Sequence, residues 1–441
     1  MHYGKKGFTL VEMIIVMAMF MLVIMAASSS FNVLLTQMTK LTKTEESNIE
    51  GVVGLEMLRH DLQQVGFGLP DAYMEAAPPA YGEASIDPAD DYNDAPSGLP
   101  RAVVAGNDLL AGAEVADAVD GVTYELLAGT DYLALKGTTL GMNETAQKWT
   151  YLPFDSGITG LKKPRIWTEA YLNLVKDDRV VVVKKTVVKS RIVNQMIYEP
   201  TTPDTYWATF DPVGLAPVFA PTLPEEVYYI YGIGGKDNNT GLSMPFNRSD
   251  YFVARPDVSD RMPLYCAPNT GILYKARVTH NETASTGYAS GALQPMPLLD
   301  CVADMQLVFG WDLTDGMGNQ GRDGLIDTWS TPEGVTVAAA GATPPATQAQ
   351  VQTALANSDP DILLRDSLKV VKVYLLAQVG RRDGNYTFVG SDEAGQPQRI
   401  FVGNPLDGFV AHRYDLTAAQ RNYRWKVYQL AVRPKNLESN Q

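Results

Sequence analysis

Four aspartates and one asparagine lie in one short, glycine-rich stretch, "WDLTDGMGNQGRDGLIDTW" (311–329). They are Asp312, Asp315, Asn319, Asp323 and Asp327. Hard oxygen ligands on a flexible loop suit Ca²⁺, although this spacing is not that of an EF-hand. The stretch therefore has two interpretations, a calcium site and a glycine-rich hairpin whose acids face the solvent. No other cofactor is expected.

Motifs for nucleophilic or metal-dependent catalysis are missing from the sequence. It contains no G-x-S-x-G elbow, no Walker loop and no H-E-x-x-H pair. The four histidines, at positions 2, 60, 280 and 412, are too scattered to predict a multi-histidine metal site. We therefore expect a protein that is not an enzyme.

The charge balance limits the classes of partner. The chain has 36 Lys and Arg against 50 Asp and Glu, a net charge of −14. Such an acidic chain is not expected to coat nucleic acid or to bind anionic lipid generally. Local basic patches remain compatible with this balance, but nucleic acid is not an expected partner.

The N-terminus holds an apolar stretch from Phe8 to Ala27 that contains one carboxylate, Glu12. About 20 apolar residues are enough to span a bilayer. Lys5 and Lys6 precede them and would keep the N-terminus in the cytoplasm by the positive-inside rule. A carboxylate at the middle of the bilayer raises the free energy of membrane insertion by roughly 2.5–3.5 kcal/mol. An ordinary secretory signal or a plain membrane anchor leaves that cost unexplained.

A third interpretation accounts for Glu12. Cleavage between Gly7 and Phe8 would place a free ammonium on Phe8, four residues before Glu12. Positions four apart share one face of a helix, and neighbouring helices could pair the same two groups. Pairing offsets much of the cost of burying each charge, and a single polar position in an apolar seam can fix register. Phe8 and Glu12 are therefore predicted to direct assembly with other helices.

The stretch "KKGFTLVEMIIVMAMFMLVIMAA" resembles the class III signal of type IV pilins and type II pseudopilins. The resemblance lies in the short basic leader, Gly7, Phe8 and Glu12, followed by an unbroken apolar helix. It implies cleavage after Gly7 by a prepilin peptidase and N-methylation of Phe8. The apolar stretch has neither the Pro nor the Gly that many shaft-forming pilins carry, which argues against a role as the main shaft subunit.

The predicted helix continues well beyond the membrane. Apolar residues recur near helical spacing from Phe31 to Val65, and the stop signal "GFGLP" (66–70) follows. The helix should pack under a globular domain, with a coiled-coil partner as the alternative. The predicted division is a leader at 1–7, a transmembrane helix at 8–28, its amphipathic continuation at 29–66, a Pro- and Asp-rich extended loop at 70–100, and a β-rich domain at 101–441 with an insertion at 333–358.

The rest of the chain is predicted to be rich in strands. Runs of alternating polar and apolar residues, separated by Gly and Pro, favour a largely antiparallel sheet. The expected fold class is α+β, a long N-terminal helix followed by an antiparallel sheet, which resembles the pilin architecture. The candidate strands are 131–137, 179–193, 225–233, 271–279, 304–313, 368–379 and 423–432.

Short blocks, including "GILYKARV" (271–278) and "YRWKVYQLAVRP" (423–434), are similar to PilW-like minor pilins. Cys266 and Cys301 flank the first block and lie in the part expected to be exported, where oxidation is the default. A disulfide between them is predicted, with two buried free thiols as the alternative.

The resemblance implies a structural minor pilin at or near the tip of a type IV pilus, where it helps to initiate assembly and could add adhesion. The alternatives are a large minor pseudopilin of a type II secretion system, a pilus-tethered adhesin module and a membrane-anchored enzyme. The implied partners are other minor and major pilins, the prepilin peptidase and the inner-membrane assembly platform. The implied location is the bacterial inner membrane, with a periplasmic C-terminal domain, and then the extracellular pilus tip.

Overall fold

A computed structural model defines the fold of most of the chain. It describes residues 10–73, 80–117, 121–154, 163–188, 191–199, 206–235, 241–283, 287–289, 291–315, 321–339, 345–357, 364–390, 395–404 and 409–437.

One long helix, α1 (Leu10–Gln64), opens the described chain. At 1.5 Å per residue it is about 80 Å long. It ends at the predicted stop signal, where Gly66 and Gly68 adopt φ values of +81° and +70° that favour glycine. The backbone N–H of Gly66 then donates to the carbonyl of Lys136, which ties the helix end to the sheet.

Two short helices and twenty-one strands follow in the described residues. The helices are α2 (Gln348–Ala356) and α3 (Leu364–Ser367). The strands are β1 (Ala72–Tyr73), β2 (Val103–Gly106), β3 (Glu114–Ala116), β4 (Thr123–Leu126), β5 (Tyr132–Gly137), β6 (Trp149–Pro153), β7 (Arg179–Val188), β8 (Arg191–Ile197), β9 (Trp207–Thr209), β10 (Val227–Gly234), β11 (Asn247–Pro256), β12 (Gly271–Val278), β13 (Asn281–Thr283), β14 (Gly287–Ala289), β15 (Leu293–Trp311), β16 (Thr328–Ser330), β17 (Thr336–Ala338), β18 (Leu368–Val379), β19 (Arg399–Asn404), β20 (Phe409–Asp415) and β21 (Arg424–Val432).

The main sheet contains eleven of the described strands, and all of its pairings are antiparallel. Strands β11, β12, β15, β18 and β21 lie side by side in that order. On its other side β11 pairs with β5 and β4, which pair in turn with β2 and β3. The α+β class, with an apolar helix before a largely antiparallel sheet, is confirmed.

A second sheet is formed mostly by chain inserted between two neighbouring strands of the first. Gly137 at the end of β5 lies directly opposite Asn247 at the start of β11. The intervening residues, 138–246, are called the inserted module. Its sheet has the order β1-β8-β7-β10-β6, with β9 beside β7. One face covers a separate apolar core that includes Leu152, Val180, Val182, Phe210, Phe219 and Ile230.

The last turns of α1 pack against the main sheet. Leu58, Leu62 and Val65 are fully buried there. The helix closely approaches β15 at Gly54, where an added Cβ would lie 2.3 Å from the carbonyl oxygen of Leu298. Glycine is therefore needed at this position because the two backbones are in contact.

Several elements differ from the sequence-based expectation. The predicted strand 179–193 is a hairpin of β7 and β8, and β15 begins at Leu293, eleven residues before the predicted start. The central strand β11 was not predicted, because it begins with the polar run Asn247, Arg248, Ser249 and Asp250. The 333–358 segment holds β17 and α2, whose N-terminus is a capping box formed by Thr347 and Gln350.

Candidate functional site

The N-terminal part of α1 is apolar and uncovered. The 22 residues Leu10–Phe31 have a mean hydropathy of 2.7, and no part of them is buried against the rest of the chain. This length matches the hydrocarbon thickness of a bilayer. Apolar surface of this extent requires lipid or other apolar helices around it.

Glu12 lies in the first turn of this helix, and its side chain is exposed. A carboxylate at a helix N-terminus interacts favourably with the positive end of the helix dipole. Gly7 and Phe8 lie outside the described residues, so the processing site and the pairing of the Phe8 ammonium with Glu12 stay predictions.

At its other end, α1 is attached to the sheet through the buried Asp61. Its Oδ2 atom accepts a hydrogen bond from the Tyr251 hydroxyl at 2.6 Å and lies 2.5 Å from Lys275 Nζ. Burial by itself raises the pKa of the Asp61 carboxyl, but the hydrogen bond from His60 and the charge of Lys275 outweigh it and hold the pKa below its usual value. Asp61 is therefore an ionised anchor between the helix and strands β11 and β12.

A larger buried ion network joins the 80–100 segment to the main sheet. Arg248, fully buried on β11, contacts Glu83 Oε2 at 2.9 Å and Asp250 Oδ1 at 2.8 Å. Lys136 on β5 lies 2.7 Å from Glu83 and 2.5 Å from Asp94. Although burial disfavours its charge, the carboxylates of Asp250 and Glu83 raise the pKa of Arg248. The acids of the 70–100 segment are thus partly core residues, which the sequence did not indicate.

In the 311–329 stretch, the carboxylates of Asp312 and Asp327 accept hydrogen bonds from backbone N–H groups. The carboxylate of Asp312 accepts from the N–H groups of Asp323 and Gly324, at 3.1 and 2.9 Å. Oδ2 of Asp327 accepts from Leu313 N at 2.6 Å. These bonds join the two described parts of the stretch, 311–315 and 321–329, beside the end of β15.

For the other predicted ligands, Asp323 accepts from the backbone N–H of Leu325, Asp315 is half-buried, and Asn319 lies outside the described residues. Within the described part of the chain, no three His, Cys, Asp or Glu side chains are grouped to hold a metal ion. Calcium binding by the 311–329 stretch stays a prediction.

Cys266 and Cys301 form the predicted disulfide, with their Cα atoms 5.0 Å apart. It joins the loop between β11 and β12 to β15 across a sequence separation of 35 residues. Replacing both cysteines by alanine is expected to lower the free energy of unfolding by about 3–4 kcal/mol, because the unfolded chain then loses a covalent constraint. Urea unfolding of the variant and the oxidised parent measures this. Equal unfolding midpoints would show that the bond adds no stability.

A histidine–aspartate pair links β20 to β15. His412 Nδ1 lies 2.7 Å from Oδ2 of the buried Asp304. This hydrogen bond raises the pKa of His412, and burial raises that of Asp304. The folded state therefore favours the charged imidazole of His412. The stability that this pair adds to the fold is fully present below the unfolded pKa of about 6.5, and it is lost as the pH rises through the higher folded pKa.

His412→Gln should therefore change the pH profile of stability. The parent should be more stable than the variant at about pH 5.5, and the difference should shrink by about pH 9. Melting temperatures of both proteins across this range test the expectation. A difference in melting temperature that stays constant with pH would show that protonation of His412 is not coupled to folding.

A family model matches the N-terminus of the chain. Residues 3–28 match the prokaryotic N-terminal methylation motif, a stretch that includes Gly7, Phe8 and Glu12. Among solved structures, the chain is similar to a type IV-like pilin from Thermus thermophilus, at 13% sequence identity and a TM-score of 0.21. That match covers 46% of this chain and 74% of the pilin. No curated protein matches the chain.

Proposed function

We propose that this chain, which carries a prokaryotic N-terminal methylation motif on an apolar helix followed by an antiparallel sheet, is a minor pilin of a type IV pilus. The observation that carries the proposal is the uncovered helix Leu10–Phe31, which lies within and just beyond the matched motif. The helix is held by lipid before assembly and by the helices of other pilins afterwards. The protein is structural, and its partners are other minor and major pilins, the prepilin peptidase and the inner-membrane platform.

The size of the globular part supports a position at or near the tip. It combines an eleven-stranded sheet with the inserted module, which has its own sheet and apolar core within the described chain. Many copies of so bulky a domain would crowd a helical shaft, whereas one copy at the end is not restricted by neighbours on all sides. There it would help to initiate assembly. A large pseudopilin of a type II secretion system is the alternative that the experiments below distinguish.

The first test concerns processing. The mature protein should begin at Phe8 and carry an N-methyl group, because the motif places the cleavage after Gly7 behind Lys5 and Lys6. Mass spectrometry of the N-terminal peptide of membrane-extracted protein measures both features. A mature start after Ala27 would instead identify an ordinary secretory signal and would overturn the proposal.

The second test concerns assembly. Glu12→Ala should insert and be processed, since the variant helix is more apolar, but it should lose co-purification with the other tip subunits and restore few pili to a deletion strain. Glu56→Ala is the matched control, because Glu56 is an exposed acid on the same helix outside the apolar segment. Equal piliation by both variants would contradict a role for Glu12. A deletion that abolishes protein secretion and leaves pili intact would identify a pseudopilin.

A further inference from the structure

One face of the inserted module holds half-buried aromatic rings, with several lysine and arginine side chains nearby. The rings belong to Trp149 and Tyr151 on β6, Tyr229 on β10 and Trp167 just beyond the sheet edge. These four residues are called the aromatic face. The opposite side of the same sheet covers the apolar core of the module. On the side of the aromatic face, Val181 and Tyr231 pack with the main core, and the four rings lie beside them as a half-buried edge.

Strand register places the rings together. Tyr229 lies directly opposite Tyr151, so their side chains share one side of the sheet, and Trp149 follows by alternation along β6. Segment 163–167 extends the edge of the sheet, since Arg165 N donates to Tyr151 O at 2.9 Å. Trp167 Nε1 donates to Trp149 O at 2.8 Å, and the Trp167 ring meets the rings of Trp149 and Tyr151 edge to face at 5.2 and 6.0 Å.

Four cations lie beside these rings, either as near neighbours along the chain or over a ring. Lys163, Arg165 and Lys185 are exposed, Lys148 is half-exposed, and none of the four forms a salt bridge within the described chain. Lys185 Nζ lies over the Tyr229 ring, 5.1 Å from its centroid.

The local charge differs from that of the whole protein. The stretch 148–191 has ten Lys or Arg against four Asp or Glu, a net charge of +6 in a chain of −14. Some of these cations are neutralised, as Lys184 is by Glu226 at 3.4 Å. Lys163, Arg165 and Lys185 form no salt bridge with a described residue, and together they make a local attraction for anions.

We propose that the aromatic face binds an acidic polysaccharide. The C–H groups of a sugar ring carry a partial positive charge and pack against the negative faces of aromatic rings. The carboxylate or sulfate groups of the same polymer pair with Lys163, Arg165 and Lys185. A nucleic-acid duplex fits less well, because its two strands of closely spaced phosphates are repelled by the surrounding acidic protein more strongly than the single chain of charges on an acidic polysaccharide.

Polysaccharide binding would give a minor pilin an adhesive role, and only this biological use rests on the proposed surface position. Binding itself is tested with the purified full chain in detergent and immobilised polygalacturonate, with dextran as a neutral polymer and oligothymidylate as a nucleic acid. The variants are Trp167→Ala and the pair Lys163→Gln with Arg165→Gln, whose side chains are exposed. Lys426→Gln is the control, because Lys426 is also an exposed strand lysine over a tyrosine ring.

Polygalacturonate should bind the parent in a salt-sensitive manner, and dextran should not. Both sets of substitutions should weaken binding by about tenfold or more, while Lys426→Gln should bind like the parent. No binding of polygalacturonate, an equal loss in Lys426→Gln, or tighter binding of oligothymidylate would each overturn the inference. Strains with the Lys163 and Arg165 substitutions should make normal pili. Failure of the parent to bind polygalacturonate would overturn the polysaccharide proposal alone, whereas a mature protein that begins elsewhere than at Phe8 would overturn the pilin proposal.

Discussion

Glu83→Ala is expected to destabilise the globular domain by about 3–5 kcal/mol, because it leaves two buried cations without their shared carboxylate. Arg248 and Lys136 both contact Glu83 Oε2, and all three side chains are fully buried. Glu83 also accepts hydrogen bonds from the backbone N–H groups of Asp94 and Ala95, at 2.6 and 3.1 Å. The substitution therefore removes a charge and the acceptor that holds the 80–100 segment.

Urea unfolding followed by tryptophan fluorescence measures this loss. Asp415→Ala is a matched control, because Asp415 forms a two-point pair with Arg399 at 2.8 Å but lies at the surface. The control should lose no more than about 1 kcal/mol. If Glu83→Ala proved no more destabilising than the control, the buried network would not be a source of stability.

Asp61→Ala is expected to weaken the attachment of α1 to the sheet by a similar amount, about 3–5 kcal/mol. The buried ammonium of Lys275 would lose its counter-ion, and the buried hydroxyl of Tyr251 would lose its acceptor. Unfolding free energy measures the loss of stability. The rate of proteolysis near residues 51–64 reports separately whether the helix comes away from the sheet.

The double variant Asp61→Ala with Lys275→Met provides the control. Replacing both members of a buried pair by apolar groups is often nearly neutral, whereas removing one is costly. The double variant should therefore recover much of the stability that Asp61→Ala loses. If it were as unstable as the single variant, the effect would come from lost packing around Asp61 and not from the unpaired charge of Lys275.

The sequence predicted those features that depend on local signals. The stop of α1 followed from Gly66, Gly68 and Pro70, and the strands β5, β12, β18 and β21 followed from alternating or β-branched residues. The disulfide followed from two cysteines in a part expected to be exported.

What the sequence did not predict depends on distant partners. Strand β11 was not predicted, because it begins with polar residues that include Arg248 and Asp250, and nothing nearby in sequence shows that Glu83 lies beside them. Glu83 in turn lies in the segment 70–100, which was predicted only as an extended loop. The inserted module was also missed, since only the pairing of Gly137 with Asn247 shows that β5 and β11 are neighbours. Burial of charge is a tertiary property, and single-sequence periodicity contains no information about it.

The way α1 lies on the sheet has a mechanical consequence. Its last turns are packed along their length, with Gly54 against the Leu298 backbone and Asp61 held by Lys275 and Tyr251. A tensile force applied at the N-terminus along the helix axis would load these contacts in shear, all at the same time. A force applied across the axis would instead break them one after another. The attachment is therefore suited to a molecule that is pulled from its N-terminal end.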